Sequence, residues 1–208
     1  MKAVSYFLIS IFIAIGGSNI YAQRSESFTD KRDGKSYRTV EIGQQIWMAE
    51  NLAYKTKKGC WAYGDDESNV NTYGYLYNWE TANNVCPEGY HLPSEDEWIQ
   101  LELFICVQKS TIPEDSYGNW NNIKKHLKAN WGWEKNGNGT DKYGFTGLPG
   151  GIRFKDGKFY NIGAIGFWWS ASSKSRSESW SRYLAWSSGN FNRYGNNRSG
   201  FSVRCLKD

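Results

Sequence analysis

The chain has 208 residues, a net charge of +4 from 25 basic and 21 acidic side chains, 22 Gly, 4 Pro and 17% aromatics, 11 of them Trp. That length suits one domain, and the aromatic content excludes a disordered chain while the low Pro content excludes collagen. The charge excess is too small for the concentrated basic face that nucleic acid selects, and two His and four Cys exclude a multi-His metal site and leave zinc only a site that takes every Cys.

Residues 1–22 read as a secretory signal. Lys2 supplies the positive start, residues 6–15 are apolar, and Gly16, Gly17 and Ser18 break the run before Ile20-Tyr21-Ala22. The apolar run is about half of the ~20 residues a membrane span needs, so cleavage after Ala22 is predicted, with an uncleaved anchor as the alternative. Losing Lys2 alone would take the charge from +4 to +3. No Cys lies near the cut, and no later segment is apolar enough to span a membrane. The expected location is therefore outside the cytoplasm: secreted, periplasmic or at the cell surface. Export permits disulfides, and Cys60, Cys86, Cys106 and Cys205 show no Cys-x-x-Cys spacing, so three pairings stay open.

Residues 23–27 read as a short polar leader and residues 28–208 as one domain. Asp33-Gly34 marks a hairpin turn. Residues 37–48 hold two β-prone runs around Gly43 and Gln44, and residues 59–74 are loop-like. A helix is predicted from about Leu76, with Trp79, Ala82, Val85 and Cys86 on its apolar face and Pro87 and Gly89 ending it. Ser94 and Glu97 form a capping box that opens a second helix with Trp98, Leu101, Ile105 and Cys106 inward. A third helix is predicted over residues 119–129, with Trp120, Ile123 and Leu127 inward and Lys124, Lys125 and Lys128 outward. Beyond Asn130 the helical period disappears. Asp156-Gly157 marks a hairpin between residues 151–154 and 158–162, and residues 167–170, 180–186 and 201–205 are strand candidates. In the last, period two places Cys205 on the apolar face. Helices early and strands late predict an α+β domain whose C-terminal half is a Trp- and Gly-rich antiparallel sheet with long loops.

Several blocks resemble the Fibrobacter succinogenes major paralogous domain. They are residues 33–52 (DGKSYRTVEIGQQIWMAENL), 73–79 (YGYLYNW), 86–94 (CPEGYHLPS), 137–151 (GNGTDKYGFTGLPGG), 167–170 (FWWS) and 200–205 (GFSVRC). In order, they cover nearly all of residues 28–208. The family occurs mainly on exported proteins of Bacteroidetes and Fibrobacteres. The resemblance implies a C-type lectin-like or sulfatase-modifying-factor-like fold and a disulfide between Cys86 and Cys205. The family's second Cys, about ten residues after the position of Cys60, is missing near Val70, which leaves Cys60 and Cys106 as a second candidate pair.

The chemistry favours a non-catalytic binding module for a glycan or an extracellular surface partner. Residues 180–198 interleave Trp186, Phe191 and Tyr194 with Asn190, Asn192, Arg193, Asn197 and Arg198, the mix that stacks on sugar faces and fixes hydroxyls. Trp168 and Trp169 are adjacent, so on a strand one is expected inward and the other at the surface. The ligand-binding candidates are Trp169, Trp186, Tyr194, Asn197 and Arg198. Against each stands the plainer reading of core aromatics and turn residues. Asp65, Asp66, Glu67 and Asn69 could hold calcium, as could Asn136, Asn138 and Asp141, though neither spacing is that of an EF-hand. No other cofactor is implied, and nothing in the sequence sets an oligomeric state. An oxidase of the formylglycine-generating type needs two reactive Cys near the chain end, where this chain has Cys205 alone. His91, His126, Glu95 and Glu97 fit packing and capping better than hydrolysis, so no catalytic residue is assigned. A structural surface protein without a small ligand is the alternative.

Overall fold

The computed structural model describes residues 25–107, 120–187 and 192–208. The predicted signal segment lies outside them. β1 (Ser25–Thr29) and β2 (Ser36–Ile42) pair antiparallel around a turn in which Gly34 N–H donates to Asp30 O. Residues 25–27, expected in a leader, are thus in a strand. β3 (Gln45–Met48) follows across Gly43 and Gln44, as the two β-prone runs predict. β4 (Cys60–Trp61), two single-turn 3-10 segments and α1 (Val70–Tyr73) occupy the loop-like region. β5 (Leu76–Tyr77), α2 (Trp79–Ala82) and β6 (Tyr90–His91) come next, then α3 (Glu95–Val107) and α4 (Trp120–Leu127). The rest is β: β7 (Gly150–Arg153), β8 (Phe159–Ile162), β9 (Ile165–Ser173), β10 (Glu178–Ala185), β11 (Asn192–Asn196), β12 (Phe201–Ser202) and β13 (Leu206–Lys207).

These strands form two sheets. The five-stranded sheet runs β1-β2-β3-β13-β6. The eight-stranded sheet runs β11-β10-β9-β12-β5-β4, with β7 and β8 attached beside β9. The last residues stitch them together. β12 sits between β9 and β5, β13 sits between β3 and β6, and the link between them accepts hydrogen bonds from Met48 N–H (to Cys205 O) and Leu52 N–H (to Val203 O).

The expected α+β layout with a C-type lectin-like domain is corrected by this topology. Among the described residues strand predominates over helix, and the helices are few and not confined to the N-terminal half. Six strands precede α3. The larger sheet is not purely antiparallel, since β9 pairs parallel with both β7 and β12. The helix predicted from Leu76 fails for a local reason. Leu76 and Tyr77 pair with both β4 and β12, and the Asn78 side chain accepts from Thr81 N–H, so the helix cannot begin before Trp79.

The second helix obeys its cap. Ser94 N–H donates to Glu97 Oε2 and Glu97 N–H donates to Ser94 Oγ, while Trp98, Leu101 and Ile105 are buried. On α4, Ile123 and Leu127 point inward as predicted, but Lys124, and Lys128 just past the helix end, are buried too. Lys128 Nζ donates to Ala185 O and lies 5.0 Å above the Trp133 ring. A lysine stem is apolar enough to pack while its head finds a carbonyl.

Two apolar clusters fill the interior. One gathers Tyr37, Met48, Leu52, Tyr77, Trp169, Phe201 and Val203. The other gathers Val40, Trp47, Trp98, Leu101, Phe145, Trp168 and Leu206. β9 runs between them. Period two does place Trp168 and Trp169 on opposite faces, but each face meets a core, so both are buried and neither is a surface residue. The same holds for residues 202–205, where Ser202 and Arg204 are as buried as Val203 and Cys205.

Cys86 and Cys205 are bridged, with Cα atoms 5.9 Å apart and a sequence separation of 119. The chain-entropy argument gives such a loop roughly 5 kcal/mol. Cys60 and Cys106 are free thiols, each half-buried, so the second pairing is not formed.

Arg204 is fully enclosed. Its guanidinium donates to Asn51 Oδ1, Phe145 O, Met48 O and Thr146 O and lies 4.3 Å from the Phe145 ring centre. Burial pushes its pKa down to about 9, against the pull of Asp141 and Glu50. Asn51 is held in turn, donating to Tyr73 O and Ser202 Oγ and accepting from Trp168 Nε1. Arg204→Lys should therefore cost about 3 kcal/mol, because an ammonium cannot satisfy that forked set of acceptors. Denaturant unfolding of the purified variant checks this, and a loss under about 1 kcal/mol would contradict it.

Candidate functional site

A concave cleft of about 470 Å³ opens beside the Cys86 end of the disulfide. The β1–β2 turn contributes Arg32, the stretch after β3 contributes Tyr54 and Lys58, and the α2 region contributes Asn78, Glu80 and Asn84. Each wall is fixed by its own chemistry. Asp30 is buried and takes the Nε and Nη2 of Arg32, whose Nη1 donates to Val85 O at 2.8 Å. Burial works against the Asp30 charge, but the hydrogen bonds and charge of Arg32 outweigh it and hold the carboxyl below its ordinary pKa. The guanidinium also stacks 3.9 Å from the centre of the Tyr54 ring. Gly59 closes the cleft against α2. Its φ is +72° and an added Cβ would lie 2.1 Å from Thr81 Oγ1, so only glycine fits.

What remains for a ligand is a mixed set of polar groups. Asn78 uses its Oδ1 in capping α2, and Asn84 uses its Nδ2 on Glu80 O. Among the described residues, Asn78 Nδ2, Asn84 Oδ1, the Lys58 ammonium and the Glu80 carboxylate have no hydrogen-bond or ion-pair partner. Donors, acceptors and both signs of charge converge on one open hollow. That set suits a compound rich in hydroxyls. Sequence reasoning missed this cleft because its residues come from three separate segments and none carries a motif. The sole local hint was Asn78 followed three residues later by Thr81, a cap signal.

The candidates drawn from the sequence are not brought together. Trp169 is core, stacked 4.1 Å from Phe201 and donating Nε1 to Tyr77 O. Trp186 is exposed, with the Lys135 ammonium 4.3 Å above its ring. Asn197 accepts from Ser179 Oγ at the opposite end of β10, and its carbonyl takes Trp79 N–H. Trp186 lies seven positions along the extended chain from Ser179, about 23 Å. Arg198 is exposed in the same turn as Asn197. Tyr194 lies in β11 opposite Trp180, and its side chain falls outside the described residues, as do Asn190 and Phe191. Asn197 and Arg198 thus border α2, one residue from the cleft's Asn78, while Trp186 belongs elsewhere.

Of the proposed calcium ligands, Asp66, Glu67, Asn69, Asn138 and Asp141 are engaged within the fold. Asp66 Oδ1 accepts from Ser68 N–H, Glu67 pairs with Lys55 and accepts from Tyr75 Oη, and Asn69 donates to Tyr63 O. In the second loop, Asn138 Oδ1 accepts from Trp133 N–H and Asp141 takes Thr146 N–H and Oγ. Among the described residues, no three His, Cys, Asp or Glu side chains are placed to share a metal.

The family model of the Fibrobacter succinogenes major domain matches residues 40–207. No curated protein and no solved structure gives a match.

Two charged clusters outside the cleft belong to the scaffold. His91 lies between Asp208 and Glu97, at 2.6 and 2.8 Å, and Glu97 also caps α3 through Ser94. Burial opposes charging of His91, but the two carboxylates outweigh it and raise its pKa above 6.5. Arg182 is fully buried and pairs with Glu102 and Glu95. Burial raises the Glu102 carboxyl from 4.5 to about 7, with Arg182 opposing and Glu95 adding to the rise. Both groups bind protons more tightly folded than unfolded. Their contribution to stability is full below the unfolded pKa and is lost as pH rises through the folded one. For Glu102 that window runs from 4.5 to about 7. Unfolding free energy should therefore fall as pH rises from 4.5 to about 7 through Glu102, and fall further as pH rises through the raised pKa of His91. Glu102→Gln should flatten the lower part of that slope and His91→Asn the upper part. Urea titrations at several pH values test this, and an unchanged slope in both variants contradicts it.

Proposed function

The chain belongs to the Fibrobacter succinogenes major domain family, and we propose that it is an exported, non-catalytic binding module that takes a polyhydroxylated ligand, such as the end of a glycan, in the cleft around Asn78. The observation that carries this reading is the convergence of Lys58, Glu80, Asn78 Nδ2 and Asn84 Oδ1 on one hollow, with no partner for them among the described residues. Polar groups that a fold does not use for itself, held on walls that are rigid, favour binding because little ordering entropy is lost. The walls here are stiffened by the Asp30–Arg32–Val85 contacts and by the Cys86–Cys205 bridge behind them. Export is supported by that bridge, which suits an oxidising compartment, and by the signal-like residues 1–22. Membership of a family of exported domains agrees with it.

The test is a glycan array with the oxidised protein, run with and without calcium, followed by titration of the best glycan. Lys58→Gln and Glu80→Gln should each weaken binding about tenfold, the loss of one hydrogen bond to a charged group, with melting unchanged because both side chains are exposed. Binding that survives both substitutions would place the glycan elsewhere. A protein that binds no glycan and no soluble surface component would favour the structural alternative.

A further inference from the structure

The β7–β8 hairpin carries a second surface, remote in sequence from the cleft. Cross-strand register sets Ile152 opposite Tyr160 and Arg153 opposite Phe159, and Phe154 N–H donates to Lys158 O. Period two then puts Ile152, Phe154, Lys158 and Tyr160 on one face. Ile152 is buried, which anchors that face to the core. Phe154 and Tyr160 are 46% and 41% exposed and meet edge to face with ring centres 6.1 Å apart. Lys158 is exposed beside Phe154. The platform is thus two touching rings with a lysine across the strand from Phe154.

The opposite face explains why the hairpin is rigid. The Arg153 guanidinium stacks 4.0 Å from the Trp61 ring centre, and Phe159 packs on Tyr63 at 5.3 Å. Arg153 and Gly200 exchange both backbone hydrogen bonds. Among the described residues Arg153 has no carboxylate partner, and its buried Nε has no acceptor. Its Nη2 reaches toward the turn, 3.1 Å from where a Cβ on Gly157 would sit. Lys155 is exposed in the same turn. Against these three cations the hairpin sets one carboxylate, Asp156, whose Oδ1 already accepts from Lys158 N–H.

We propose that this hairpin binds an acidic polysaccharide, with a sugar ring stacked on Tyr160 and Phe154 and its carboxylate or sulfate held by Lys158, while Lys155 at the turn attracts the next acidic group. Exposed rings supply stacking surface, and unpaired cations beside them select a negative polymer. A membrane fits less well, because the residues at the very tip are Lys155, Asp156 and Gly157, while both rings lie back on the sheet face. A second copy of the hairpin fits less well too, since it would bring Lys158 toward Lys158.

The experiment titrates the oxidised protein with polygalacturonate, a sulfated polysaccharide, neutral amylose and phosphatidylserine vesicles. At least one acidic polymer should bind about tenfold more tightly than amylose and weaken with added salt. Lys158→Gln and Tyr160→Ala should each weaken that binding about tenfold, and Lys155→Gln less. Glu80→Gln should leave it unchanged, which separates this surface from the cleft. Melting curves of the variants should match the parent, because the altered side chains are exposed. The proposal is overturned if amylose binds equally well, if only vesicles bind, if no acidic polymer binds, or if the Lys158 and Tyr160 variants keep full affinity. It is also overturned if Glu80→Gln abolishes the binding.

Discussion

The structure depends on seven residues at its end. Residues 201–207 supply an interior strand to one sheet at Phe201–Ser202 and to the other at Leu206–Lys207. Between the two ladders lie Val203, Arg204 and Cys205, all without solvent contact. Cys205 is welded to the segment after α2, and Arg204 gathers the carbonyls of Met48, Phe145 and Thr146 with the amide of Asn51. A cation in that position is costly unless every donor is used. It therefore acts as a strict geometric filter. The chain stretches around residues 48–51 and 145–146 must arrive together, or the charge is left unsatisfied.

Much else follows from placing a strand in the middle of everything. β9 is flanked by both apolar clusters, so both of its faces are packed along most of its length. The helices are left to the periphery, where α3 buries a stripe against the second cluster and docks its first turn on β9 through Glu95 N–H to Ser172 Oγ. The two proposed binding surfaces also take their rigidity from the spine. The cleft is backed by the Cys86 end of the bridge, and the β7–β8 hairpin is pinned by Arg153 to Gly200, the residue that opens the spine.

Buried cations recur in this chain. Arg182 and Arg204 are enclosed, and Lys128 is nearly so. Arg182 faces two carboxylates, but Arg204 and Lys128 are held by neutral oxygens. Such groups give little net stability. They penalise wrong packing, because a misplaced neighbour strands a charge. That matters for a chain so rich in aromatics, in which many compact arrangements would bury similar apolar area.

Local features were legible in the sequence because local forces set them. The β1–β2 and β7–β8 turns follow from Asp33-Gly34 and Asp156-Gly157, the α3 cap from Ser94 and Glu97, and the apolar stripe from Trp98, Leu101 and Ile105. The family blocks carried the Cys86–Cys205 pairing, which spacing alone left open. Tertiary structure decided the rest. Leu76 and Tyr77 became a strand because two neighbours offered them backbone partners. Lys124, Lys128 and Trp169 went inward because each of their surroundings was already a core. Trp186 and Asn197, close in sequence, were carried to opposite ends of β10 by an antiparallel turn, while Lys58 and Asn84 were brought to one cleft. Burial and convergence depend on what lies across space from a residue, and one chain's periodicity records only what lies beside it.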